Sequence, residues 1–129
     1  MATASLARRL RSAIDLGLIP PAPYGKRRPL PDYVEVSLLS SAEIGRVHGE
    51  FLADPSPTDV ITFDHGEILV CPEVACEQGA GYGRSLNEEV LLYGLHGLLH
   101  LRGWSDKTPA KRKAMSLAQE KVWRRVKAL

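Results

Sequence analysis

The chain has 129 residues, 44% of them hydrophobic and 25% charged, which is the usual composition of one soluble globular domain, here over residues 1–129. A net charge of +2, from 17 basic and 15 acidic residues, neither requires nor excludes a nucleic-acid partner. Two cysteines and no secretory signal sequence favour the cytoplasm, and no apolar run approaches the roughly 20 residues of a membrane span.

The first half of the chain predicts two helices and one strand. Apolar residues at helical spacing indicate an amphipathic helix over residues 4–17, and alternating apolar residues predict a strand over 33–39. Ser40 or Ser41 is a suitable helix cap, so a second helix is expected from there to about Leu52.

The second half adds two short strands joined by a tight turn, and then three helices. The strands are predicted over 58–63 and 67–71, and the helices begin at Pro72, at Ser85 or Asn87, and at Thr108. This order predicts an α+β fold, with a small mixed β-sheet of about three to four strands and about five helices. The helix with two histidines is expected to lie in the middle, covered on several sides.

Two of the four histidines, His96 and His100, lie four residues apart in that long helix. Side chains at this spacing share one helix face, with their Cβ atoms about 6 Å apart. Gly103 lets the chain turn back, so that Asp106 would bring a carboxylate to the same place. The leucine-rich flanks indicate a buried helix, where imidazoles need partners. The pattern His-x3-His-x5-Asp therefore predicts a metal site, and two core histidines bonded to the backbone are the alternative.

Two imidazoles and one carboxylate suit one Zn²⁺ per chain in an open site with water as fourth ligand. The same ligands also suit iron, nickel or manganese. Cys71 and Cys76 do not form a metal-type pair with each other. Gly97 occupies the position where zinc peptidases of similar spacing have a glutamate base, which makes a peptidase a minority interpretation.

Three blocks of sequence extend this pattern, namely Pro57-Thr-Asp-Val-Ile-Thr-Phe63, Gly66-Glu-Ile-Leu-Val-Cys-Pro72 and His96-Gly-Leu-Leu-His-Leu-Arg-Gly-Trp-Ser-Asp106. In order and spacing they resemble the YbeY family of bacterial endoribonucleases, and the resemblance spans about residues 33–129. It implies a zinc-dependent endoribonuclease specific for single-stranded RNA, with His96 and His100 as ligands. It also implies a cytoplasmic role in ribosomal RNA maturation at the 16S 3′ end, ribosome quality control, and the small ribosomal subunit as partner.

The chain departs from the family pattern at two important places. The family's third histidine is Asp106 here, which exchanges one zinc ligand for another. Leu52 occupies the position of an arginine that is thought to act near the scissile phosphate. Arg102, Arg84 or Lys107 would then have to stabilise the developing charge, and Arg102 and Arg84 are the catalytic candidates.

Other residues receive supporting roles. Glu67 aligns with a family aspartate, and Glu67 or Asp59 would hydrogen-bond a ligand imidazole, although exposed strand carboxylates are an equal alternative. Basic clusters would contact RNA phosphates, with Tyr82 and Trp104 as candidate stacking platforms. Two other functions stay open: a different zinc metallohydrolase, and a non-catalytic ribosome-assembly factor with a structural metal.

Overall fold

The structure is a computed structural model that describes residues 3–53, 58–79 and 83–129. Within these residues the chain forms five helices and three strands: α1 Thr3–Asp15, β1 Glu35–Leu38, α2 Ser41–Leu52, β2 Val60–Phe63, β3 Glu67–Val70, α3 Pro72–Gly79, α4 Leu86–Leu101 and α5 Pro109–Lys127. The predicted α+β class and the order of its elements are confirmed. The proline connector at 54–57 and the stacking candidate Tyr82 lie outside the described residues.

The three strands form one mixed sheet in the order β1-β3-β2. The β1 and β3 strands are parallel, with Glu35 opposite Glu67, while β2 and β3 are an antiparallel hairpin with Val60 opposite Val70. The β3 strand is paired along both edges, and helices also cover both of its faces. Ile68 and Val70 pack into the main core with α4, and Leu69 packs on the other face with residues of α2.

The α4 helix packs against α1, α3, α5 and two strands, and its two glycines allow the closest of these approaches. A Cβ atom at Gly97 would lie 2.7 Å from Ile68 Cγ2 and 2.8 Å from Ile68 Cδ1. A Cβ atom at Gly94 would lie 3.0 Å from a methyl group of Leu10 in α1. The backbone of α4 therefore lies directly on the sheet at Gly97, and this contact fixes the depth of the histidine helix.

Local capping explains where α4 begins. Ser85 Oγ accepts a hydrogen bond from the Glu88 amide, and the Glu88 carboxylate accepts one from the Ser85 amide. This capping box satisfies two amides that a helix end otherwise leaves unpaired, and it lowers the pKa of Glu88. The same arrangement at Ser40 and Glu43 begins α2. Both starts agree with the sequence prediction.

Other boundaries differ slightly from the prediction because of local turns. The α1 helix ends at Asp15 rather than at residue 17, since Gly17 has a φ of 65° and Leu18 bonds back to the Ala13 carbonyl. The β2 strand begins at Val60, whose amide donates to the Asp59 carboxylate at 2.7 Å. Among the described residues, no helix combines the length and the apolar character that crossing a membrane requires.

Candidate metal centre

The structure brings His96, His100 and Asp106 together. The two imidazole Nε2 atoms are 3.0 Å apart. Asp106 Oδ2 lies 3.7 Å from His96 Nε2 and 3.5 Å from His100 Nε2. Three ligand atoms of these residues thus converge on one point, as the spacing in the sequence predicts.

The hydrogen bonds of the two Nδ1 atoms, which we call the outer nitrogens, show which nitrogen of each ring carries the proton and which has a free lone pair. His100 Nδ1 is 2.9 Å from the Trp104 carbonyl oxygen, which only accepts, so this nitrogen carries the proton. His96 Nδ1 is 2.7 Å from Gln119 Oε1 and donates to it in the same way. Both Nε2 atoms therefore present lone pairs towards each other and towards the Asp106 carboxylate.

This arrangement fits a metal ion. The two Nε2 atoms are 3.0 Å apart, but two lone pairs cannot form a hydrogen bond with each other. The nearby Asp106 carboxylate adds negative charge. Protonation of His96 is unfavourable, because burial and then the neighbouring His100 lower the pKa of the His96 imidazole. A divalent cation satisfies all three groups, and metal-ligating histidines usually donate their other N–H as these two do.

The turn after α4 brings Asp106 to the histidines. Gly103 has a φ of 96°, a backbone conformation that side chains rarely adopt. Its amide donates to the His100 carbonyl at 3.0 Å, and the Trp104 amide donates to Leu99 at 3.1 Å. These bonds reverse the chain within one helical turn, and the predicted role of Gly103 in this turn agrees with the structure.

An open groove of about 1190 Å³ surrounds the cluster. This volume exceeds the roughly 300–1,000 Å³ of common small-molecule sites, which favours an extended ligand. Four basic residues are among those that line it: Lys26, Arg28, Lys107 and Lys111. His48 and Leu52 of α2 also line the groove, and Leu52 is 56% exposed.

The two predicted catalytic arginines are elsewhere. Arg84 pairs with Glu89, a carboxylate only 1% exposed, and the described groove lining does not include Arg84. Arg102 is also absent from that lining, and its buried Nε has no hydrogen-bond partner within the described residues. The fold uses Arg84 to compensate a buried charge, a role that the sequence analysis missed.

The predicted carboxylate supports differ from each other. Asp59 lines the groove, whereas Glu67 lies in the sheet opposite Glu35 and is not part of the described groove lining. Neither carboxylate holds an outer imidazole nitrogen, because Gln119 and the Trp104 carbonyl occupy those positions.

Tyr93 is a further groove residue that the sequence analysis missed. Burial raises the pKa of its hydroxyl well above the ordinary value, and the Asp59 and Glu89 charges and a hydrogen bond with Asp59 act in the same direction. Tyr93 is therefore a neutral donor that holds the Asp59 carboxylate. Tyr93 precedes His96 by three residues and His100 by seven, and residues at these spacings share a helix face. This spacing could have placed Tyr93 beside the metal centre.

Together, the fold and the cluster define an α+β protein with two imidazoles and one carboxylate converging in an open, basic groove. The profile of the family described as Endoribonuclease YbeY matches residues 24–127. The chain therefore belongs to the YbeY family, and the resemblance seen in the sequence is confirmed.

Individual relatives agree with this membership. Endoribonuclease YbeY of Elusimicrobium minutum is 37% identical over 94 residues, covering 64% of this chain and 66% of its own. That of Micrococcus luteus is 32% identical over 103 residues, covering 67% of this chain and 66% of its own. That of Mycobacterium tuberculosis is 33% identical over 104 residues, covering 66% and 59%. The chain thus spans 59–66% of the length of these relatives, which is less than two thirds.

A solved structure shows the same fold over nearly the whole chain. The solution structure of TM1509 from Thermotoga maritima superimposes with a TM-score of 0.59 at 28% identity. The superposition covers 95% of this chain and 82% of that one.

Proposed function

We propose that this chain is a metal-dependent endoribonuclease that acts as a single domain over residues 1–129 and hydrolyses phosphodiester bonds in single-stranded RNA. The main support is the convergence of His96, His100 and Asp106 in an open groove lined by lysine and arginine. Membership of the YbeY family and relatives named as endoribonucleases support the same activity.

In this proposal His96, His100 and Asp106 hold one Zn²⁺. When bound there, the ion would supply Lewis acidity for activating water and polarising a phosphate oxygen. Gln119 and the Trp104 carbonyl keep the two imidazoles in the tautomer that presents Nε2. The Asp59 carboxylate, held by Tyr93 in the groove, is placed to accept a hydrogen bond from a group that enters beside His96.

The basic residues of the groove bind the substrate. Lys26, Arg28, Lys107 and Lys111 contact backbone phosphates, which gives affinity without sequence readout. Lys107 follows Asp106 directly, so it is our proposed source of positive charge near the scissile phosphate. Trp104 offers an aromatic surface in the same groove. In the cell, we propose 16S ribosomal RNA 3′-end maturation and ribosome quality control with the small subunit, in the cytoplasm.

The test is cleavage of a labelled single-stranded RNA and of the matching duplex, with zinc and with a chelator. Wild type should cut the single strand in zinc, and chelation or His100→Ala should remove at least about 99% of the rate, since His100 is a ligand. His65→Ala is the matched control, because His65 is exposed and outside the described groove lining. Cleavage that persists in His100→Ala with chelator would contradict the proposal.

A second function is a non-catalytic assembly factor whose metal only stabilises the fold. Leu52 supports this alternative, because it lies in the groove at the position where the family resemblance expects an arginine. An assembly factor should lose stability and RNA binding together in His100→Ala, whereas an enzyme should lose turnover with RNA binding largely kept.

A further inference from the structure

Residues 20–24 cross the loop that contains Asp106. We call residues 20–24 the strap and residues 102–106 the ligand loop. The Ala22 amide donates to the Arg102 carbonyl at 3.1 Å. The Trp104 indole Nε1 donates to the Pro20 carbonyl at 2.8 Å. The strap is therefore bonded along the ligand loop, although about 80 residues separate the two in sequence.

Tyr24 closes the end of this pairing nearest the metal centre. Its hydroxyl accepts a hydrogen bond from the Ser105 amide at 2.7 Å and donates one to the Ser105 carbonyl at 3.4 Å. The ring packs edge-on against Trp104, with centroids 6.3 Å apart. Lys111 Nζ lies 4.7 Å from the ring centroid. One side chain, held by two neighbours, thus binds both backbone groups of the residue before Asp106.

The position of Asp106 depends on this backbone. Its side chain is 44% exposed, and the two imidazoles are its ion-pair partners among the described residues. The ligand loop contains the turn at Gly103 and lies between α4 and α5, so no regular secondary structure fixes it. An exposed carboxylate on an irregular segment loses side-chain and backbone freedom when it binds a metal, unless the segment is already ordered.

We propose that Tyr24 is a positioning residue for the metal centre, which orders Ser105 so that Asp106 meets the ion in a prepared conformation. This inference rests on the proposed function, because it requires that the cluster binds metal. The strap would thus help to form the metal centre, although it provides none of the three ligands.

The experiment measures zinc affinity by competition with a chromophoric chelator for wild type and Tyr24→Phe. The variant lacks only the hydroxyl, and groups that support metal ligands change affinity by about 10- to 100-fold, so we expect a loss of at least about tenfold. Tyr33→Phe is the matched control, since Tyr33 is 75% exposed, and its affinity should equal that of wild type.

A double-mutant cycle separates positioning from a general structural effect. If Tyr24 acts through Asp106, then Tyr24→Phe should have no further effect on zinc affinity in an Asp106→Ala background. An equal loss in both backgrounds would show that Tyr24 only supports the fold, and it would overturn the inference.

Amide hydrogen exchange at Ser105 gives a measurement that needs no mutation. The wild-type amide should be protected, because it donates to the Tyr24 hydroxyl. An unprotected amide, or unchanged zinc affinity in Tyr24→Phe, would overturn the inference while leaving the proposed function intact. A folded wild type that binds no zinc at all would instead overturn the proposed metal centre, and the inference with it.

Discussion

The contact between Gly97 and Ile68 gives the sharpest test of how the fold places the metal centre. In Gly97→Ala the new methyl would lie 2.7–3.0 Å from three carbons of the Ile68 side chain. Ordinary contacts between carbon atoms lie near 3.5–4.0 Å, so the helix and the sheet must separate or Ile68 must move by several tenths of an ångström. Ile68 is fully buried in the central strand, where close packing leaves little room.

The expected cost follows from two opposing terms. Overpacking a filled core costs about 1–3 kcal/mol. Alanine is better than glycine inside a helix by about 0.8–1 kcal/mol. The net loss for Gly97→Ala should therefore be about 0–2 kcal/mol in the free energy of unfolding. Gly94→Ala should cost less, because its nearest neighbours at 3.0 and 3.2 Å are the terminal methyls of Leu10.

Urea unfolding of the metal-free protein, followed by far-UV circular dichroism, measures these differences. The reference is the Ile68→Ala background, in which all three close carbons are absent. There, Gly97→Ala should be neutral or stabilising. If Gly97→Ala changed the free energy of unfolding equally with Ile68 in place and in the Ile68→Ala background, the Gly97–Ile68 contact would not set the depth of α4.

Four further results are expected. Elemental analysis of purified wild type should find about one zinc per chain, and Asp106→Ala should lose it or hold it much more weakly, because one of three ligands is gone. Leu52→Arg should raise the rate of RNA cleavage at least severalfold if missing positive charge limits turnover, and an unchanged rate would show that Lys107 or another groove residue already supplies it. RNA binding should weaken steeply as salt rises from 50 to 200 mM, and a flat dependence would argue against phosphate contacts. The lowered pKa of Glu88 means that the unfolded chain binds more protons in acid, so this contribution to stability is present above the ordinary glutamate pKa and is lost as pH falls through the lowered value. Glu88→Gln cannot ionise, so urea unfolding should find the variant less stable than wild type near pH 7, and this difference should shrink as pH falls through the lowered pKa of Glu88.

Local signals predicted the elements and the ligand cluster well. Ser40, Ser85 and Thr108 mark helix starts by capping hydrogen bonds to a residue three positions later, which a sequence displays directly. His96 and His100 are four residues apart on one helix, so their proximity follows from helix geometry. Gly103 marks the turn that returns Asp106 to them.

Long-range partners were not predictable in the same way. Gln119 reaches His96 from α5, and Tyr24 reaches the ligand loop across 81 residues. Nothing in the local pattern distinguishes these two side chains from other polar residues nearby. The roles of the adjacent Glu88 and Glu89 were equally unpredictable from sequence. Glu88 caps the helix on the surface, whereas Glu89 pairs with Arg84 in the interior.

The facing lone pairs of the two imidazoles have a consequence for folding. Without a cation these groups repel, so an ion that binds the folded chain and not the unfolded one shifts the folding equilibrium by mass action. The ligands belong to α4 and its following loop, while their supports come from the strap near the start of the chain and from α5 near its end. A bound ion would therefore also stabilise the packing of these two distant segments against the ligand residues, so resistance of the purified protein to proteolysis should rise when metal is added.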